Sequence, residues 1–457
     1  MAVLGWALVA GPAAAATLTV GPHQAYTSIT EAVQAAAPGD TIRIEPGRYR
    51  EHLVIDRPLT LVGEPGAVID GGGDGDVVTL AADGITLQGL TVRGSGQHLW
   101  RDHAAIKVFS SDNRIEGNRI EESLFGILVI RGDRNRIREN TIVGLAEKIE
   151  HDRGDGIRLY DSDENLIEGN VILQARDGIY VEYSSRNRIA RNRVEGTRIG
   201  LHYMFANDNL FEENLFVRNG VAAAIMYSKR LQVRRNVFSE SRGYGAYGLF
   251  LKDAEAAEVE GNLILANETG ISLDFAVRSH FQGNYVAANE VAVRVLASSG
   301  ENTFVGNAFV YNGDGVYLSP GRHQQYWDDG VQGNYWSSYR GYDLDGDGIG
   351  DVPYDASDVF GHLTERFPEL KLFFQSPAVQ AIAFCEEAFP VFQRQKAVDR
   401  YPLMQAMPPP EDLLRQALAG SPQAFTGRGA AVLLSAAMGG LAVVGLHWGR
   451  RNGPHGR

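Results

Sequence analysis

Cysteine is almost absent from this 457-residue chain, whose single copy is Cys385. A disulfide framework within the chain is therefore excluded. Basic residues are also outnumbered, with 43 Lys and Arg against 56 Asp and Glu, for a formal net charge of -13. This balance, without any basic stripe, argues against a nucleic-acid partner and is compatible with a cationic one.

Charge is missing altogether from an apolar segment near each end of the chain. The first, MAVLGWALVAGPAAAA, predicts a secretory signal peptide over residues 1–16, although no Lys or Arg precedes it and a hydrophobic first strand stays open as an alternative. The second begins at Gly429 and predicts a transmembrane helix over residues 429–447, the alternative being a buried helix. Arginines follow it, so residues 448–457 are expected in the cytoplasm and the body of the chain outside.

A phrase of the form NRIEGN recurs through the middle of the chain. Its closing asparagines are separated mostly by 22 residues, with longer intervals of 30 and 26; they are Asn118, Asn140, Asn170, Asn192, Asn214, Asn236, Asn262, Asn284 and Asn307. The apolar residues between them alternate at the period of a strand, and turn residues separate the runs. Each repeat is therefore one coil of three short strands.

Stacked coils of this kind predict an all-β fold, a right-handed parallel β-helix over residues 17–328. The repeated asparagines are expected to form hydrogen-bonded ladders between coils. Before the coils, YTSITEAVQ predicts a short helix, N-capped by Thr27 or Ser28, that covers the exposed first edge. The two longer intervals, in residues 144–156 and 239–248, are expected to form functional side loops.

The coil period also predicts which outward side chains lie over one another, because residues on a strand alternate between interior and solvent. One predicted column is Tyr160, Glu182, Met204, Met226, Lys252 and Asp274, and the adjacent one is Arg158, Tyr180, His202, Ala224 and Phe250. Met204, Met226 and His202 then form a soft, neutral ligand set, which favours Cu(I). Glu182 and Asp274 flank the set and are expected to tune the bound cation. Packing of the methionines beneath a loop remains the alternative.

Methionine is scarce, with six copies, and one further pair is close in sequence. Met404 and Met407 are spaced to share a helical face, which makes them either a second copper pair or an apolar plug that docks a partner.

An aspartate-rich segment, GYDLDGDGIGDVPYD, follows the coils. Its spacing matches the opening of a calcium loop, with candidate ligands Asp343, Asp345, Asp347, Asp351 and Asp355. Tyr354 stands where such a loop has Glu, so a rigid turn that closes the solenoid is the alternative.

The remaining chain is divided into an extension over residues 329–410 and a linker over 411–428. Ser376 and Pro377 predict the start of a helix that Pro390 ends and that caps the last coil. Residues 393–410 are then expected to dock a membrane partner.

Polysaccharide-modifying enzymes, such as lyases, epimerases and glycosidases, share the predicted fold and form the alternative class of function. The nearest catalytic candidates are His151, Asp152 and Asp155 in the first insertion. Because an ordinary solvated loop accounts for them, the chain is predicted not to be an enzyme.

Several segments resemble the NosD family, the periplasmic accessory proteins of nitrous oxide reductase maturation. They include IGLHYMFANDNLFEEN, GNYWSSYRGYDLDGDGIGDVPY and KLFFQSPAVQAIAFCEEAFPVF. The resemblance implies a periplasmic, membrane-associated protein that works in denitrification with an ABC-type permease and its cytoplasmic ATPase. It also implies a lipoprotein copper chaperone and nitrous oxide reductase as partners, with copper as transient cargo. The C-terminal apolar segment is not a hallmark of that family.

Overall fold

A computed structural model describes residues 15–243, 245–296, 298–319, 324–357 and 396–420. It confirms the predicted parallel β-helix: strands of successive coils pair in parallel, from Thr17 to Trp336. Each coil contributes one strand, in chain order, to three sheets that we name A, B and C. The repeat continues without a break through both insertions, because the strands on either side of each insertion still pair with one another.

The strands are short, and their bounds follow the coil period. Sheet A contains Thr17–Val20, Thr41–Ile44, Thr60–Gly63, Thr86–Gln88, Arg114–Glu116, Arg136–Arg138, Leu166–Glu168, Arg188–Ala190, Leu210–Glu212, Gln232–Arg234, Glu258–Glu260, His280–Gln282, Asn302–Val305 and Gln325–Tyr326. Sheet B contains Gly47–Tyr49, Ala67–Asp70, Thr91–Arg93, Arg119–Glu121, Thr141–Val143, Val171–Leu173, Arg193–Glu195, Leu215–Val217, Val237–Ser239, Leu263–Leu265, Tyr285–Ala287, Ala308–Val310 and Tyr335–Trp336. Sheet C contains Leu53–Ile55, Val78–Leu80, Ala104–Val108, Phe125–Ile130, Ile157–Tyr160, Asp177–Glu182, Ile199–Met204, Val221–Met226, Tyr247–Lys252, Thr269–Asp274, Val291–Val295 and Asp314–Leu318.

The interior is a continuous column of apolar side chains from neighbouring coils. Aliphatic residues fill the N-terminal half, and aromatic rings stack on one another toward the C-terminal end. Phe281 and Phe304 stack with ring centroids 4.4 Å apart, and Trp327 continues the stack 4.5 Å beyond Phe304. Burying these side chains is the main stabilising contribution, since one coil alone cannot enclose its apolar face.

The predicted asparagine ladder is present and fully buried. From Asn118 to Asn334, each amide Nδ2 donates to the Oδ1 of the asparagine one coil later, at 2.8–3.1 Å. Each Oδ1 also accepts the backbone N–H of the preceding asparagine. The ladder thereby satisfies backbone groups at a tight turn that would otherwise be unpaired inside the protein.

The N-terminal edge is covered by the predicted helix, Ile29–Ala35. Ser28 is its N-cap, and its hydroxyl accepts the backbone N–H of Glu31. The Glu51 carboxylate accepts two more of the first N–H groups of the helix, at 3.0 and 2.8 Å. Ile29, Ala32 and Val33 are buried against the first coils, so the helix closes the apolar end of the solenoid.

The C-terminal edge is closed by a segment that returns from far along the chain. Strand Val398–Asp399 pairs antiparallel with Tyr354–Asp355, and Arg400 forms an ion pair with Asp328 at 2.6 Å. Asp399 is fully buried and accepts the backbone N–H of Asn334 at 2.7 Å. Asp399 therefore stands where a further ladder asparagine would be. The part of the predicted docking segment that the structure describes, residues 396–410, begins with this closing strand, and its docking role stays a prediction.

A second α-helix, Glu411–Gly420, occupies the first part of the predicted linker. Leu413, Leu414 and Ala417 are buried against the outer face of sheet B. The Asp412 carboxylate pairs with Arg235, which fixes the start of the helix on the solenoid. The sequence did not predict this helix, because its apolar face packs on sheet B, whose residues are far away in the sequence.

Both insertions form loops, as predicted. The first contains the 3-10 turn Glu150–Asp152, and its Leu145 is buried against Leu124, Phe125 and Leu128 on the outside of sheet C. A second 3-10 turn, Leu99–Arg101, lies in the loop of an earlier coil.

Four predicted elements lie wholly or largely outside the described residues: the signal peptide except for residues 15 and 16, the helix from Ser376 to Pro390, the transmembrane segment 429–447 and the cytoplasmic tail 448–457. Among the helices that the structure describes, none has the length and apolar character needed to cross a membrane.

Candidate functional site

The outward columns of sheet C have the predicted register. Met204 lies opposite Glu182 on one side and Met226 on the other. His202 lies between Tyr180 and Ala224 in the neighbouring column. The two methionines and the histidine are half-buried, so their side chains remain accessible from solvent.

His202 is held by a carboxylate that the sequence did not single out. Asp177 Oδ2 lies 2.7 Å from His202 Nδ1, and the Asp177 side chain is 1% exposed. Arg198 donates to both oxygens of the same carboxylate, at 2.9 and 2.7 Å. When the imidazole is neutral, an acceptor fixed in this way takes the hydrogen bond from Nδ1–H, so that Nε2 is the nitrogen with a free lone pair.

The free nitrogen of His202 has no hydrogen-bond partner among the described residues, although it is buried. Buried polar atoms in proteins are nearly always paired, so such an atom indicates a site for an ion or another ligand. Met204 belongs to the same strand, two residues away on the same face.

Tyr180 fixes both residues from the preceding coil. Its ring stacks on His202 with centroids 4.4 Å apart and an interplanar angle of 12°. Its hydroxyl donates to Met204 Sδ at 3.7 Å. Burial, followed by the nearby Glu182 carboxylate, raises the pKa of Tyr180, so the phenol remains a neutral donor. The imidazole and the thioether are thus held by one side chain.

Two buried carboxylates lie beneath this surface and differ in ionisation. Burial acts to raise the pKa of Asp177, but hydrogen bonds from His202 and Arg198 lower it below the usual value. The pKa of Asp155 is raised to about 6 by burial and by repulsion from Asp177, with Arg176 opposing the shift. Asp177 is therefore the charged partner of His202 at neutral pH.

Glu182 and Asp274 each form an ion pair, and their expected role in tuning the cation stays a prediction. Glu182 pairs with Arg158 at 3.2 Å, and Asp274 pairs with Lys252 at 3.6 Å, one coil beyond Met226. Both flank the methionine column as predicted, but the carboxylate that contacts the histidine is Asp177.

A row of exposed aromatic rings borders the methionines. Tyr183, Phe205 and Tyr227 each follow a residue of the column, and their rings stack with centroids 5.2 and 4.8 Å apart. All three have positive φ angles of 51–53°, an unfavourable conformation for aromatic residues.

The second methionine pair does not share a helical face, which corrects the prediction. Leu403 forms bridges with Tyr335 and Ile349, so Met404 begins an irregular stretch along the last coils. Met404 is half-buried, and the exposed Met407 reaches the turn at Gly283.

In the aspartate-rich loop, three of the predicted ligands come together. Oxygen atoms of Asp343, Asp345 and Asp347 lie within 4.8 Å of one another. Hydrogen bonds from the N–H groups of Gly348 and Gly346 lower the pKa of Asp343. The other two candidates have different contacts: Asp351 accepts the N–H of Leu344 at 2.8 Å, and Asp355 accepts hydrogen bonds from Ser357.

The three residues considered for polysaccharide chemistry do not form a site. His151 and Asp152 are exposed in the 3-10 turn, whereas Asp155 is buried and paired with Arg176 at 2.9 Å.

Comparison with known proteins identifies the family. Residues 139–341 match the family model described as periplasmic copper-binding protein (NosD). The chain is 34% identical over 410 residues to a probable ABC transporter binding protein NosD of Pseudomonas aeruginosa, covering 86% of this chain and 95% of that protein. The chain belongs to the NosD family. A NosD protein of Stutzerimonas stutzeri is 31% identical over 389 residues, covering 82% of this chain and 88% of that protein.

Solved structures resemble this NosD-family chain in fold only. The catalytic domain of an α-1,3-glucanase has a TM-score of 0.49 and 11% identity, covering 72% of this chain and 70% of that one. The A-module of a mannuronan C-5 epimerase from Azotobacter vinelandii has a TM-score of 0.47 and 13% identity, covering 65% of this chain and 92% of that one. Likeness at this level carries no argument about function.

The stretch that matches the NosD model contains the whole column from Tyr160 to Asp274, together with Asp177. Sequence reasoning missed Asp177, but a signal was available. The Asp-Gly pairs at 155–156 and 177–178 open consecutive strands of sheet C. A Cβ on Gly178 would overlap Val194 and lie 2.6 Å from the carbonyl oxygen of Gly200, so glycine is required there.

Proposed function

We propose that this NosD-family chain binds Cu(I) through His202 Nε2 and the sulfurs of Met204 and Met226, and passes it on for assembly of the copper centres of nitrous oxide reductase. The observation that carries the proposal is the His202 imidazole, which is fixed through Nδ1 and has a buried, unpartnered Nε2 on the strand face that also presents Met204. The family description, a periplasmic copper-binding protein, supports the same metal and the periplasm as its location.

The donor atoms favour cuprous copper over harder cations. Two thioethers and a neutral imidazole suit a soft monovalent ion, whereas calcium and magnesium require oxygen ligands. The ionised Asp177 lies behind the imidazole, where it raises the basicity of Nε2 and offsets the charge of the bound ion.

Transfer, rather than storage or catalysis, fits the exposure of the site. The methionines lie on the outer face of the solenoid and are only half-buried, so a partner can reach their side chains. The partners we propose are a lipoprotein copper chaperone, nitrous oxide reductase, and an ABC permease with its ATPase. The last assignment draws on the relatives' names as ABC transporter binding proteins. We assign no catalytic residue.

The decisive experiment is anaerobic titration of the full-length chain with Cu(I) against a chromophoric Cu(I) chelator. Met204→Leu with Met226→Leu removes both sulfurs while keeping size and hydrophobicity, so the fold should persist. Affinity should fall by about tenfold or more, a loss of ~1.4 kcal/mol in binding free energy. His202→Ala should act in the same direction but less completely.

The chain supplies a matched control for that experiment. Met404→Leu with Met407→Leu makes the same chemical change on another surface and should leave Cu(I) affinity unchanged. Equal losses in both double variants, or no Cu(I) binding by the unaltered chain, would contradict the site. In cells that express the Met204/Met226 variant, nitrous oxide reductase should lack copper. A fully metallated reductase would show that this site is not needed for copper delivery.

We also propose that the aspartate-rich loop binds Ca²⁺ as a structural ion. The support is the convergence of Asp343, Asp345 and Asp347. Asp345 accepts a hydrogen bond from the N–H of Asp347, yet repulsion from the Asp347 carboxylate raises its pKa. A divalent cation would relieve this repulsion.

A further inference from the structure

A positively lined cleft lies on the outer face of sheet A, away from the candidate copper site on sheet C. Its volume is about 580 Å³, and its lining contains five arginines and the carboxylates of Asp112 and Glu164. Carboxylates just outside the lining, among them Asp163 and Glu212, pair with some of these arginines. The arginines are Arg114, Arg134, Arg136, Arg186 and Arg188.

Three of the five guanidinium groups are engaged within the protein. Arg134 donates to both oxygens of Asp112, at 2.9 and 2.8 Å. Arg186 pairs with Asp163 at 2.7 Å and with Glu164 at 3.1 Å. Arg188 donates to Glu212 at 2.6 Å. These pairs link neighbouring coils and hold the cleft walls in place.

Arg114 and Arg136 are different. They lie directly opposite each other in adjacent parallel strands, and both side chains are exposed. Neither has a carboxylate within ion-pair distance in the part of the chain that the structure describes. Like charges opposite each other on neighbouring strands destabilise a sheet, so this placement has no structural benefit of its own.

The next residue in the column is Leu166, in register with Arg136 on one side and Arg188 on the other. Its short apolar side chain leaves a depression between the guanidinium groups of Arg136 and Arg188, whose strands are about 10 Å apart. On that side, the column therefore places no charged residue directly opposite Arg136.

We propose that this cleft binds a phosphate-type oxyanion group, held by the planar donor forks of Arg114 and Arg136. The guanidinium group presents paired N–H donors whose spacing matches two oxygens of one phosphate. Strand spacing of about 4.8 Å brings both forks to a single tetrahedral anion or to the two halves of a diphosphate. The group can come from a free phosphate compound or from an anionic lipid head group.

The test uses the full-length chain and two probes at low ionic strength. Inorganic pyrophosphate is titrated by calorimetry, and co-flotation is measured with phosphatidylglycerol vesicles and with uncharged phosphatidylcholine vesicles. Arg114→Gln with Arg136→Gln should weaken binding of the active probe by about tenfold, and added salt should weaken it in the unaltered chain. Exposed substitutions of this kind are expected to leave the fold intact.

Arg131→Gln is the matched control, because Arg131 is exposed, lies outside the cleft and carries the same charge. Loss of pyrophosphate binding in the double variant identifies a free oxyanion ligand, and loss of phosphatidylglycerol binding identifies a lipid head group. The proposal is overturned if neither probe binds, if the double variant binds as well as the unaltered chain, or if Arg131→Gln loses as much. Cu(I) affinity should be the same in all these variants, so this proposal and the copper proposal fail separately.

Discussion

The carboxylate of Asp177 contacts the imidazole of His202 on the adjacent coil, with Asp177 Oδ2 2.7 Å from His202 Nδ1. The Asp177 carboxylate is buried, whereas the His202 side chain is 13% exposed, and Arg198 also pairs with the carboxylate. It sets the orientation of the ring and determines which nitrogen is free. A metal-binding histidine commonly donates its second N–H to a carboxylate in this way.

Removing that carboxylate should weaken copper binding without touching a ligand. Asp177→Ala is expected to lower Cu(I) affinity by about 10- to 100-fold, the usual loss when a ligand's hydrogen-bond partner is removed. Asp177→Asn retains an acceptor for Nδ1 and should restore part of the affinity. The ¹⁵N resonances of His202 should show Nδ1 protonated in the unaltered chain and a mixture of tautomers in Asp177→Ala.

Asp274→Asn is the control for that series, since Asp274 lies in the methionine column but pairs with Lys252. Its Cu(I) affinity should match that of the unaltered chain. An Asp177→Ala protein with full affinity and an unchanged tautomer would exclude the positioning role.

Asp399 should make folding stability depend on pH in an unusual direction. Burial raises the pKa of its carboxyl to about 6, against the hydrogen bonds from Trp336 and Asn334. The folded chain therefore keeps this proton to higher pH than the unfolded chain, whose carboxyl titrates near pH ~4. Between these values the free energy of unfolding falls as pH rises. Asp399→Asn should remove this dependence, so its melting temperature should rise relative to the unaltered chain from pH 4 to 7.

Asp328, at the same end of the solenoid, serves as a control because its pKa is shifted in the opposite direction. Burial opposes its ionisation, but hydrogen bonds from Arg400 hold its pKa below the usual value. Its contribution to stability is present above the unfolded pKa and is lost as pH falls through the lower folded value. Asp328→Asn should therefore differ from the unaltered chain least at acid pH.

The Asp399 prediction would be wrong if the melting temperatures of Asp399→Asn and of the unaltered chain changed with pH in the same way, because Asp399 would then not titrate in this range.

Calcium should bind to the aspartate-rich loop and raise the melting temperature. Asp345→Ala with Asp347→Ala removes two of the three converging carboxylates and should abolish the heat of calcium binding in isothermal titration. Asp355→Asn should bind calcium normally, because the structure engages Asp355 with Ser357 and not with the cluster. A flat calcium titration of the unaltered chain rules out the site.

Much of the candidate site could be predicted because a constant repeat converts sequence distance into register. Met204 and Met226 are 22 residues apart and lie opposite each other, and His202 faces the same side as Met204. The second methionine pair could not be placed in this way. Its segment follows the last coil, where no repeat constrains it, and the bridges of Leu403 with Tyr335 and Ile349 exclude the expected helix.

The amino-acid sequence by itself determined the coil length, the parallel register and which residues face outward, because a strand has a period of two and each coil repeats the last. Only the tertiary structure decided which carboxylate holds His202, how Asp399 ends the asparagine ladder, and where the helix Glu411–Gly420 packs. Two of these contacts join segments outside the coil period, such as Asn334 and Asp399, which are 65 residues apart. The third joins adjacent coils, and only the side-chain conformations of Asp177 and His202 bring the two groups together. Their meeting depends on side-chain reach and on the path of the returning chain, which the repeat does not encode.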